Sequence, residues 1–201
     1  RDFLKSNIVC LDGGMGTLLQ AKGLCPGEYP EYWNLTHADT VTAIHQSYYD
    51  AGSNVVSTNT FGANSLKFSN TELESIIGAA VANVKRARAA SHNGEEKFIA
   101  LDIGPTGKLL KPLGELDFTD AVEIFAKTVR LGVRYGVDLI LIETMNDSYE
   151  TKAAVLAAKE NSDLPILVSN AYGEDGKLMT GATPEAMVAM LEGLGVDALG
   201  T

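Results

Sequence analysis

Gly136-Val137-Asp138-Leu139-Ile140-Leu141-Ile142-Glu143-Thr144 runs from a glycine turn through an apolar segment to a carboxylate. A strand with one face in water alternates apolar and polar residues. The near-continuous apolar run Val137 to Ile142 instead predicts a strand covered on both faces, as in a parallel sheet. The opening phrase, glycine then any residue then Asp or Asn, recurs as Gly52-Ser53-Asn54 and Gly195-Val196-Asp197. Each copy follows a segment of helical periodicity and leads into an apolar run, so a glycine C-cap feeding a strand predicts one helix-to-strand turn used repeatedly.

Working outward, apolar runs of the same kind lie at Asn7 to Leu11, Ser53 to Thr58, Lys97 to Asp102, Pro165 to Ser169 and Asp197 to Gly200. Between them, Thr40 to Ala51, Leu73 to Ala90, Asp120 to Tyr135, Ser148 to Glu160 and Pro184 to Gly193 carry apolar residues at helical spacing. In the third of these, Val122, Phe125, Val129 and Val133 share a stripe while Glu123, Lys127 and Arg134 face water. The neighbourhoods of Thr40, Thr119 and Thr183 supply N-caps, and Pro184 suits a first helical turn. Strand and helix in alternation leave a doubly wound sheet or a β/α barrel, and the repeated turn favours the barrel. A full barrel of this class has eight strands in about 250 residues. Residues 1–201 are therefore expected to form one domain, the N-terminal portion of a (β/α)8 TIM-type barrel interrupted after about six strands. Open edges in such a barrel are expected to favour self-association.

The formal net charge of -10 opposes attraction to phosphate backbones, and only Lys85, Arg86 and Arg88 cluster, which argues against a nucleic-acid partner. No apolar run approaches the ~18 residues of a membrane span, and Arg1 to Cys10 lacks the apolar core of a signal peptide. The default expectation is a cytoplasmic protein. Cys10 and Cys25 show neither disulfide-framework nor metal-site spacing; Cys10, within an apolar run, is expected in the core, and Cys25 in a loop.

In a β/α barrel the chemistry sits at the C-terminal ends of the strands. Those ends read Asp12-Gly13-Gly14-Met15-Gly16-Thr17, Thr58-Asn59-Thr60-Phe61, Asp102-Ile103-Gly104-Pro105-Thr106-Gly107, Glu143-Thr144, Asn170-Ala171-Tyr172 and Gly200-Thr201. Asp12 and Glu143 face the mouth, where a carboxylate pair holds an ammonium group or works as acid and base, unless either merely caps backbone amides. The Gly13 to Gly16 loop offers backbone N–H groups to an anion or makes a tight turn with positive φ, and lacks both the Walker lysine and the dinucleotide fingerprint. Asn59 and Asn170 suit the orientation of a zwitterion, or the satisfaction of strand-end backbone. His37, His45 and His92 share no strand end and are expected to be structural. The long connection Gly104 to Asp117 and the aromatic run Gly23 to Leu35, with Trp33, are expected near the mouth as covers, although Trp33 could equally plug the side.

Taken in order, Asp12-Gly13-Gly14-Met15-Gly16-Thr17, Ser57-Thr58-Asn59-Thr60-Phe61, Ile103-Gly104-Pro105-Thr106-Gly107 and Ile142-Glu143-Thr144 resemble the homocysteine S-methyltransferase family, nearest to the homocysteine-binding modules of its cobalamin-dependent members. The resemblance spans Ile8 to Thr201. It implies a barrel in which Zn²⁺ binds the sulfur of L-homocysteine and yields a thiolate nucleophile for a methyl group. By position, Asp12 and Glu143 would grip the substrate ammonium, the amides of Gly13 and Gly14 its carboxylate, and Asn59 would shape the pocket, with Thr144 and Asn170 beside it. The three zinc cysteines of the family correspond to nothing here, because Cys10 and Cys25 lie elsewhere and Gly200-Thr201 only reaches the place of the first. Cobalamin and methyltetrahydrofolate belong to other modules in the family. Two further readings stay open: a lyase or isomerase using Glu143 as base, for which no strand-end lysine is found, and a partial barrel acting as a binding or assembly module.

Overall fold

The computed structural model describes residues 1–201. In chain order it holds α1 (Asp2–Ser6), α2 (Met15–Ala21), a 3₁₀ turn (Pro30–Tyr32), α3 (Trp33–Thr36), α4 (Ala38–Asp50), β1 (Val55–Ser57) and α5 (Asn70–Ala90). There follow β2 (Phe98–Ile103), α6 (Phe118–Tyr135), β3 (Leu139–Met145), α7 (Ser148–Asn161), β4 (Ile166–Asn170), α8 (Pro184–Gly193) and β5 (Ala198–Gly200). The strands form one parallel sheet in the order β1-β2-β3-β4-β5. A doubly wound sheet reverses its strand order at a switch point. This one never does.

The two faces of the sheet confirm the barrel pattern. Val56, Ile99, Leu101, Ile140, Ile142, Ile166 and Val168 belong to a large core shared with α5, α6 and α7. The alternate residues Val55, Ala100, Leu139, Leu141 and Leu167 make a separate cluster, with Leu4, Val9, Phe98 and Ala198 against it. Helices cover one face, and side chains of the strands themselves fill the other, which is the inside of a barrel. At ~1.5 to 3 kcal/mol per buried large aliphatic side chain, the helix-facing layer supplies the larger share of the driving force.

The repeated glycine phrase proves to be a clamp. Gly52, Gly136 and Gly195 all have φ between the left-handed values of 67° and 107°, which only glycine adopts freely. Two residues on, Asn54, Asp138 and Asp197 each donate their backbone N–H to the carbonyl of a residue on the neighbouring segment, Cys10 of the edge segment, Ile99 of β2 and Ile166 of β4 respectively. The same three side chains accept from the N–H of that same residue, at 3.1, 2.8 and 2.9 Å. Arg88 and Arg1 add ion pairs to Asp138 and Asp197.

Three expectations need correction. Asn7 to Leu11 is not a strand: it makes a single bridge, Leu11 to Val55, and Ile8 is 92% exposed. Cys10 is likewise exposed instead of core, because this edge segment lies against β1 by its backbone without helices over its side chains. Of the expected N-caps, only Thr183 accepts from its helix, through the N–H of Ala186. His37 and Asp117 stand at the other two positions without a side-chain cap bond, and a Ser69/Glu72 capping box starts α5.

Candidate functional site

Inward-facing positions alternate along a barrel strand, so Asp102 follows Ala100 and Glu143 follows Leu141 onto the inner face. Leu11, Asp12, Gly13, Gly14, Met15, Ser57, Thr58, Asp102, Leu141 and Glu143 line one cavity of about 220 Å³ at the C-terminal ends of the strands. It holds three carboxyl groups and no Lys, Arg or His. A second cavity of about 370 Å³ adjoins it, sharing Gly14, Met15, Asp102 and Glu143 and adding Glu31, Asn59, Phe61 and Lys67.

Asp12 leaves the edge segment just after its bridge, and both oxygens are engaged by Ser57, whose N–H and Oγ donate at 2.9 Å each. Burial pushes its carboxyl up to about 6 against the pull of those two hydrogen bonds, with Glu143 adding repulsion. Capping and cavity-lining thus coincide in one residue. Glu143 is half-buried without a side-chain hydrogen bond, and burial raises its pKa. Asp102 is 7% exposed, and its Oδ1 is sealed from water with no partner. Burial raises it well above the usual carboxylate range, and the charges of Glu143, Asp12 and Glu31 push the same way. The sequence reading assigned Asp102 no role. Its signal was an acid at an inward position ending an otherwise apolar run.

The glycine loop works by close approach, not by positive φ. Gly14 has φ -59°, and a Cβ on Gly13 would stand 3.1 Å from the Tyr48 hydroxyl, which donates to the Gly14 carbonyl at 3.0 Å. The N–H groups of Gly13 and Gly14 make no hydrogen bond within the chain. Thr144 has φ 59°, an unusual left-handed backbone for a β-branched residue, and its N–H donates to the Ser169 hydroxyl at 3.3 Å.

Asn59 lines the second cavity while its amide donates to the Pro30 carbonyl at 2.8 Å, and its own carbonyl accepts from Asn34 at 2.7 Å. Asn170 is not brought to either cavity. It sits with Ile166 and Val168 on the helix-facing side of β4, donating to the Met145 carbonyl and to Thr151 of α7 at 3.1 and 3.2 Å. Trp33 packs with Leu19, Leu24, Val41 and Ile44 and lines neither cavity, while Tyr29, Pro30 and Glu31 of the same run line the second one. The loop after β2 is tied down by Thr106, whose N–H donates to Glu150 at 2.8 Å, and by buried Leu110. His45 is fully buried in α4 with both ring nitrogens unpartnered, and burial lowers its pKa to about 3. Cys10 and Cys25 are exposed, free thiols, and no three His, Cys, Asp or Glu side chains are grouped to hold a metal ion. The residues present do not fit a zinc centre.

Comparisons with known proteins bear on the family and the fold. The sequence model of a family described as Homocysteine S-methyltransferase matches residues 9–201. The chain is similar to the methionine synthase of Mycobacterium tuberculosis, 28% identical over 219 residues that cover 99% of this chain and 18% of that protein. It is 27% identical to the methionine synthase of Mycobacterium leprae over 216 residues, again 99% and 18%. It therefore spans under a fifth of the length of these curated relatives. Among solved structures, the apo form of the Escherichia coli homocysteine methyltransferase MmuM superposes with TM-score 0.82 at 23% identity, covering 100% of this chain and 74% of that one. Its metallated form gives 0.83 at 21%, covering 99% and 76%. At these identities the likeness shows the fold. No helix is long and apolar enough to cross a membrane.

Proposed function

The chain belongs to the homocysteine S-methyltransferase family, and from that premise we propose that its mouth binds the amino-acid end of L-homocysteine for transfer of a methyl group to the sulfur, giving methionine. The observation that carries this reading is the 220 Å³ cavity in which three carboxyl groups meet no basic side chain. Buried acids need a counter-charge, and an α-ammonium supplies one. Asp12 and Glu143 grip the ammonium, and the free N–H groups of Gly13 and Gly14 receive the carboxylate, an arrangement supported by their shared lining of the cavity. Asn59 shapes the rim, whereas Thr144, next to Glu143, lines neither cavity. Asn170 supports the site from behind by fixing β4 to α7.

The finer chemistry, a zinc-bound thiolate taking its methyl group from cobalamin or methyltetrahydrofolate, belongs to the proposal as what the family resemblance implies. No step is derived through zinc, since Cys10 and Cys25 do not form a ligand set. What this chain's residues do is hold the zwitterion so that its side chain projects from the carboxylate cluster. Isothermal titration with L-homocysteine and with L-methionine, which share the amino-acid end, tests the reading. Both should bind, and Glu143→Gln should weaken both by ~100-fold, the scale of a lost hydrogen bond to a charged group. Equal affinity of variant and wild type would overturn it.

A further inference from the structure

Resting on the ammonium-binding reading above, one residue of the mouth remains unexplained. Two carboxylates suffice to grip an α-ammonium, yet the cavity has a third acid, Asp102, more deeply buried than the other two. No hydrogen bond reaches its carboxyl, and one oxygen is sealed from water. The charges that act on it are all negative. Asp12 comes from the loop before α2, Glu143 from β3 and Glu31 from the 3₁₀ turn, all acids that repel it. Lys67 reaches the adjoining cavity, but its Nζ lies against Gly62, and Tyr29 there is a neutral phenol. An empty cavity of this make-up cannot hold three charges, because like charges in a low-dielectric pocket cannot all ionise. A proton on one of the three relieves that repulsion, and the most deeply buried acid, Asp102, gains most from carrying it.

We propose that Asp102 is a positioning residue through which this mouth couples substrate binding to proton release. In the empty site Asp102 carries a proton that lets Asp12 and Glu143 occupy the same cavity. When a zwitterion enters, its ammonium takes over as counter-charge and one proton leaves to solvent, so charge and atoms balance: protonated site plus ligand gives complex plus H⁺. Affinity for the amino-acid end should then rise with pH in the range where the cluster titrates. A second consequence is selectivity, since a ligand lacking the ammonium gains nothing by displacing the proton.

The test is calorimetric titration of the full chain with L-methionine, whose sulfur carries no proton to confuse the count, in two buffers of different ionisation enthalpy. The wild type should release a measurable fraction of a proton per ligand. Asp102→Asn, close in shape, should bind within ~10-fold of wild type but release less than half as many protons, with a flatter pH dependence of affinity. Undiminished release in a folded Asp102→Asn variant would overturn the proposal while leaving the binding reading intact. Failure of the wild type to bind L-methionine would remove the binding reading and this inference with it. Should the variant not fold, difference infrared spectroscopy of the wild type decides: a protonated-carboxyl carbonyl band must be lost on saturation with L-methionine, and its persistence overturns the proposal.

Discussion

Carboxylates and amides end or begin strands at both rims of this sheet, and the two rims use them in opposite ways. At the bottom, Asn54, Asp138 and Asp197 each exchange two hydrogen bonds with one residue of the adjacent strand, and the Asp197 carboxyl is held below its ordinary value with Arg1 beside it. At the mouth, Asp12, Asp102 and Glu143 crowd a cavity without a basic partner and all titrate above the ordinary range. The same chemical group therefore stabilises the fold at one end and strains it at the other. Such strain persists only where the surrounding structure over-determines it, and it supports the proposal that the mouth is the binding end.

The sharpest way to break this comparison is to exchange the effects of one substitution at each rim. Glu143→Gln should weaken amino-acid binding by ~100-fold yet leave urea-unfolding stability unchanged or slightly higher, since a buried charge is removed. Asn54→Ala should do the reverse: about 2 to 3 kcal/mol of stability lost as the Cys10 N–H and the Glu96 carbonyl lose their partner, with binding unaltered. If both variants lost stability equally, the rims would not differ in kind.

Proton linkage gives the next largest effect. The Asp12 pKa is raised in the folded state, from 3.8 to about 6, so its contribution is present in full below pH 3.8 and is lost as pH rises toward 6. Relative to wild type, Asp12→Asn should therefore gain stability as pH rises from about 4 to 6.5, by roughly 3 kcal/mol at most. Asp197 has the opposite sign. Its pKa is lowered, so its contribution disappears only as pH falls below the ordinary carboxylate range. Chemical unfolding of wild type, Asp12→Asn and Asp197→Asn across pH 3 to 8 separates the two rims.

Smallest are the backbone effects. Thr144→Gly should stabilise the fold by about 1 kcal/mol by relieving a left-handed β-branched residue at the mouth. Gly136→Ala should destabilise it by about the same amount, because φ 80° there serves the clamp. Thermal melts of both variants check the pair, and shifts of the same sign would blur the distinction.

Much of this was legible in the residues. A parallel sheet read directly from Leu139-Ile140-Leu141-Ile142, because two-sided burial leaves no room for polar alternation, and the glycine phrase repeated wherever a helix turned into a strand. Asp12 and Glu143 were visible as charges at strand ends. Asn7 to Leu11 misled because apolar composition says nothing about whether a helix covers a segment. Asn170 misled because a strand end supplies two faces, and which one a side chain occupies depends on register, here shifted by an irregularity between β3 and β4. Asp102 went unassigned although it ends an apolar run, because only the fold shows that its inward position leaves it without a partner.

Sequence alone determined the alternation of elements, the parallel sheet, the clamp glycines and the acidic character of the strand ends, all consequences of local propensity and of period. Only the tertiary structure decided which acids share a cavity, that no base lines that cavity, and that one oxygen of Asp102 is sealed without a partner. Burial and electrostatic coupling are properties of distances across the barrel between residues far apart in sequence, such as Asp12 and Ser57, 45 positions apart. No local pattern along the chain encodes them.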